Sequence, residues 1–180
     1  MIDNYCERIG PGLWAEPLNA LSNLSFLIAA YVAWRLLQRS AGAEGSHKFL
    51  VLLIATIGIG SGLFHTYATV WAKWLDVIPI FLFQLAFLWL YCRQIIRWSV
   101  FNSVVAVALF LVANIVALQF PLPLNGSVMY LPAISVLLLL SGIHYLTHQH
   151  GRLSLLLGAV VFCISLGFRT LDAADRKSVV

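Results

Sequence analysis

Six runs of about 20 mostly apolar residues, the length a helix needs to cross about 30 Å of hydrocarbon, begin near Leu18, Phe49, Leu75, Ser99, Ser127 and Leu153 in a chain of only 180 residues. No soluble core of this size needs so many. Hydrophobic residues make up 61% of the chain and charged residues 10%, against roughly a quarter charged in a soluble domain. The runs lack the two-residue alternation of a membrane β-barrel strand. The pattern predicts an all-α, polytopic transmembrane helical bundle. Its expected parts are an acidic extracytoplasmic segment over residues 1–17, a bundle over 18–172 and a polar tail over 173–180.

The first seventeen residues carry Asp3, Glu7 and Glu16 in place of a basic start and an apolar core, so the first span is expected to act as its own insertion signal. Arg35, Arg39, Lys48, Arg93, Arg97 and Arg152 fall on one face of the predicted topology; Arg8, Lys73, Arg169, Arg176 and Lys177 fall on the other. The positive-inside rule then puts the amino terminus outside. Acidic residues divide more sharply: Asp3, Glu7, Glu16, Asp76, Asp172 and Asp175 share the amino-terminal face and only Glu44 lies opposite. The net charge of +4 is spread over short loops and forms no basic stripe, which excludes nucleic acid as a partner. There is no glycine-rich phosphate loop, which excludes nucleotide-driven work. Cys6, Cys92 and Cys163 form no C-x-x-C and no even framework, so free thiols are expected.

One cluster carries chemistry. His65 lies near the exit of the second run with Ser61 one turn before it, and Asp76 follows just beyond the next loop. Residues four apart share a helix face, and a titratable side chain kept at membrane depth is a functional-site hypothesis. His144 and His148 have the i, i+4 spacing of zinc helices, yet the topology puts them, with His150 and His47, about 30 Å of bilayer away from His65. On spacing alone two readings of the cluster stay open. Ser61 can bond back to a helix carbonyl while His65 and Asp76 make a structural pair, or the three can form a reaction centre. Gly58, Gly60 and Gly62 predict close helix packing, and Asn19, Ser22 and Asn23 form a polar stripe at the start of the first span, as interhelical glue or as support for the site.

Taken together, Tyr5-Cys6-Glu7-Arg8, Trp14-Ala15-Glu16 with Asn19 and Ser22-Asn23, Gly60-Ser61 with Phe64-His65-Thr66, Asp76 with Pro79, and Phe168-Arg169-Thr170 with Asp172 resemble the alkaline ceramidase family. That family belongs to a superfamily of seven-helix membrane hydrolases that includes the adiponectin and progestin receptors. The resemblance runs over essentially the whole chain. It implies a zinc amidase that takes ceramide from the bilayer and cleaves its N-acyl bond to a sphingoid base and a fatty acid. By position it implies His65 as a zinc ligand, Ser61 and Asp76 as catalytic groups, and Asn19, Asn23, Arg169 and Asp172 as support. It also implies a calcium site on the acidic leader, with Glu7 and Glu16, Asp3 or Asn4, and a backbone oxygen of Tyr5; Ile9 stands where the family has a further oxygen ligand.

The family continues after its Phe-Arg-Thr motif into a seventh span with two more zinc-ligating histidines, whereas no histidine follows Thr170 here. The expectation is six spans of seven, in a truncated or frame-shifted member with weak metal affinity and little turnover, unless Asp76 and Asp172 serve as carboxylate ligands. The competing expectation is a non-enzymatic, receptor-like or lipid-binding bundle. An ion transporter ranks below both, because the ionisable groups gather at one face and form no relay.

Overall fold

The computed structural model describes residues 7, 8, 10, 12–40, 44–119, 127–147 and 151–178, with side chains described as far as Thr170. Every regular element among them is helical. In chain order these are α1 (Pro17–Ser22), α2 (Leu24–Arg39), α3 (Gly45–Tyr67), α4 (Val70–Leu90) running on into a π-helical turn (Tyr91–Ile95), α5 (Val100–Gln119), a 3-10 turn (Ser127–Tyr130) leading into α6 (Leu131–Thr147), and α7 (Ser154–Ser178).

Five stretches are long and apolar enough to cross a membrane: Pro17–Arg39, Gly45–Tyr67, Val70–Ile95, Val100–Gln119 and Ser127–Thr147. The apolar part of α7, Ser154–Thr170, is shorter; at 1.5 Å per residue it reaches about 25 Å, and Arg169 with Asp172 limits it. The chain is thus an integral, polytopic membrane protein built as a helical bundle. Large apolar side chains such as Leu52, Leu109 and Val161 stand on its surface, which suits lipid and not water.

Two compact units divide the chain, Met1–Ser103 and Val104–Val180. In the first, α3 packs against α1, α2 and α4, and two glycines explain how. A Cβ on Gly58 would lie 3.0 Å from Cβ of Phe26 and 3.2 Å from the carbonyl oxygen of Asn23. Two residues on, and so on nearly the opposite side of the helix, a Cβ on Gly60 would lie 2.0 Å from the carbonyl oxygen of Leu75 and 3.2 Å from the amide nitrogen of Asp76. Gly62 behaves differently, with nothing within 4 Å of its would-be Cβ, so only two of the three glycines mark a contact.

The Leu75 carbonyl is also the one that Pro79 leaves without its helical N–H donor, since proline lacks the amide proton that would bond four residues back. Pro79 lies inside α4. Gly60 therefore packs on a carbonyl released from the α4 ladder.

The first span is broken at Asn23. Its side-chain amide donates to the Asn19 carbonyl (2.8 Å), as does the Ser22 hydroxyl (2.8 Å), and such side-chain bonds compete with the helical ladder. The α3–α4 link is only Ala68 and Thr69. Ala68 adopts φ 48°, ψ 41° and its N–H closes on the Phe64 carbonyl at 2.8 Å, the left-handed cap that ends many helices. A link this short makes the two helices antiparallel neighbours. Around it Tyr67, Trp71 and Trp74 are exposed, as is Trp14 of the leader; aromatic rings of this kind anchor at the headgroup level. The polar end of α3 is thereby set at a membrane interface.

In the second unit α6 packs on α7. The Ser127 and Thr170 hydroxyls bond at 2.8 Å, and the Arg169 guanidinium lies 5.3 Å from the centroid of the Tyr130 ring.

Candidate functional site

The last two turns of α3 provide the centre. Ser61 and His65 share one face of it and both are buried. Gly60, the neighbour of Ser61, sits directly on the backbone at Leu75–Asp76, so the close approach of α3 and α4 brings half-buried Asp76 to the same end of the unit.

The leader folds onto this end through Arg8 and Glu16. Glu16, 3% exposed, directs one carboxylate oxygen to Nε of Arg8 and the other to Nδ1 of His65, the latter at 2.5 Å. Arg8, 5% exposed, also donates from Nη2 to the backbone carbonyl of His65 at 2.8 Å. That carbonyl is among the last four of α3, which lack helical partners, and a cation there meets the negative end of the helix dipole. Buried charges persist only when paired and hydrogen-bonded, and here each has its partners. Beyond the charge count and the Tyr5-Cys6-Glu7-Arg8 motif, the sequence alone assigns Arg8 no task. An arginine between acidic residues in an otherwise apolar protein is the one local signal; its partners lie 8 and 57 residues away, beyond any periodicity.

Glu7 does a different job. Its two carboxylate oxygens accept the N–H groups of Leu18 (2.5 Å) and Asn19 (3.0 Å), satisfying orphan donors at the start of α1. Asn19 in turn holds Asn23, which is buried against Gly58. Asn19 and Asn23 thus fix the leader's first turns and α1 against α3. Arg169 belongs to the second unit, where it stacks on Tyr130. Asp3, Tyr5, the side chain of Asp172, His148 and His150 lie outside the described residues.

A family model described as Ceramidase matches residues 3–173. The chain belongs to the ceramidase family. No curated protein and no solved structure gives a match. At the level of the family, the chain is a ceramidase-like hydrolase, and its apolar helices seat it in the membrane.

Two metals expected of a ceramidase can be tried against these side chains. His65 fits zinc as a ligand: a carboxylate beside Nδ1 is the arrangement common around zinc-ligating histidines. Among the described residues no three His, Cys, Asp or Glu side chains gather into a ligand set, so of the described groups only His65, with Glu16 beside it, would be offered to zinc. Calcium fits the two described leader carboxylates poorly. It requires about six to eight oxygen ligands, while the two described leader carboxylates each have both oxygens engaged by nitrogen donors.

Proposed function

We propose that this chain is a zinc-dependent amidase that hydrolyses the N-acyl bond of ceramide, drawn laterally from the bilayer, to a sphingoid base and a fatty acid. The observation that carries the reading is His65, held by Glu16 at the buried end of α3, in a chain whose family match spans residues 3–173. Bound zinc supplies Lewis acidity toward the amide carbonyl and lowers the pKa of water toward about 7. The Ser61 hydroxyl donates a hydrogen bond to the carbonyl oxygen as negative charge gathers on it. The Asp76 carboxylate takes a proton from the attacking water and returns one to the leaving amine. Glu16 keeps the His65 ring in register, and the interfacial aromatics place the reacting amide level with the headgroups, with both lipid chains left in hydrocarbon. The distribution of Lys and Arg among the loops favours an amino terminus outside the cytoplasm.

A second reading has an observation of its own. The Arg8–Glu16–His65 network is buried and mutually paired, as a structural tie would be, which suits a lipid-binding bundle with little or no turnover. Two measurements separate the readings. The zinc-to-protein ratio of the detergent-purified 180-residue chain is expected near one for the amidase, and a ratio near zero removes zinc dependence. Under the amidase reading His65→Ala abolishes ceramide hydrolysis. Under the second, the same change lowers thermal stability and leaves lipid binding in place; hydrolysis unchanged in that variant defeats the amidase.

A further inference from the structure

We propose that Arg8 is the resident cation of the leader: its guanidinium takes the place on Glu16 that a divalent ion would need, so the leader docks on α3 without calcium. Four facts lead there. Arg8 and Glu16 are both buried, with side-chain exposures of 1% and 3%. The second carboxylate oxygen of Glu16 is held by His65, so a metal on Glu16 would have to compete with a nitrogen partner at either oxygen. The remaining described leader carboxylate, Glu7, caps α1 through both of its oxygens. Arg8 also closes the carboxyl end of α3 through the His65 carbonyl.

A guanidinium suits this role because its planar fork serves a carboxylate and a carbonyl at once, and it stays protonated at any physiological pH. A calcium ion on Glu16 would have to strip away Arg8 or sit beside it, placing two cations within a few ångströms in a medium of low dielectric. Calcium bonding is also directed at oxygen, whereas the neighbours of Glu16 here are nitrogen donors. Arg8 and Glu16 are positioning residues: they act on His65 and on the end of α3 and need no contact with a substrate. The inference stands apart from the amidase reading, since a bundle without turnover would use the same tie.

The test uses the whole chain in detergent. Its thermal midpoint is expected to be the same in EGTA and in millimolar calcium, and titration with calcium alone to give no saturable uptake. Stoichiometric calcium binding that Glu16→Gln removes, or a midpoint raised by calcium, overturns the proposal. Arg8→Met is expected to lower the midpoint by roughly 6–20 °C, the scale for breaking a buried pair in a chain of this length. Adding Glu16→Gln to that variant is expected to restore part of the loss, because the uncompensated carboxylate is gone. Strictly additive losses overturn the claim that Arg8 acts by neutralising Glu16. If Arg8→Met does not fold, Arg8→Lys and the calcium arms on the unaltered chain decide it.

Discussion

Replacing Gly60 with leucine is expected to give a chain that fails to assemble its first unit, and Gly60→Ala one that assembles but is destabilised by about 1–3 kcal/mol, the usual range for overpacking. The reason is that the obstacle is backbone. A Cβ at Gly60 would lie 2.0 Å from the Leu75 carbonyl oxygen and 2.6 Å from its carbon, and neither atom can swing aside as a side chain would. Relief requires α3 and α4 to move apart, which also carries Asp76 away from the Ser61 turn. Activity should therefore fall further than stability. Gly62→Ala is the matched control: its Cβ meets nothing within 4 Å, and alanine in a helix interior gains about 0.5–1 kcal/mol over glycine. Thermal midpoints of the three variants in one detergent check the ordering; a Gly60→Ala chain as stable as Gly62→Ala would show that the helices are not in contact there.

Glu16→Ala is expected to destabilise the first unit by about 3–5 kcal/mol, the loss seen when one partner of a buried ion pair is removed. The change leaves the Arg8 guanidinium buried without its counter-charge and His65 Nδ1 without its acceptor. Both groups are almost fully enclosed, so solvent screening does little to soften the effect. Glu7→Ala gives the scale for comparison. It removes a helix cap at an exposed site, worth typically about 1 kcal/mol. Unfolding of the two variants beside the unaltered chain should show Glu16 as much the larger loss, and equal losses would mean that the network contributes no more than a cap.

The starts of the membrane helices could be read from the sequence because bilayer thickness dictates their length: the runs starting near Leu18, Phe49, Leu75, Ser99 and Ser127 correspond to Pro17–Arg39, Gly45–Tyr67, Val70–Ile95, Val100–Gln119 and Ser127–Thr147. Local features inside a run were harder to read. The break at Asn23 has neither proline nor glycine to announce it, and arises from side-chain amides and hydroxyls bonding to Asn19. Gly58, Gly60 and Gly62 look alike in sequence, yet helix rotation points the first two at neighbours and leaves the third in open space. The face shared by Ser61 and His65 followed from four-residue spacing. The duties of Glu7, Arg8 and Glu16 did not, because each depends on where their part of the leader comes to rest on later elements of the chain.

That remoteness orders the assembly of the protein in time. Arg8 is made early, but the carbonyl it caps belongs to a residue 57 positions later, so during synthesis the leader waits, charged and hydrated, while two apolar segments enter the bilayer. Only when α3 is finished and its last turn surfaces do Arg8 and Glu16 leave water together. Docking of the leader therefore requires that α2 and α3 run antiparallel, since an α3 that failed to cross back would leave the His65 carbonyl on the opposite side of the membrane from the leader.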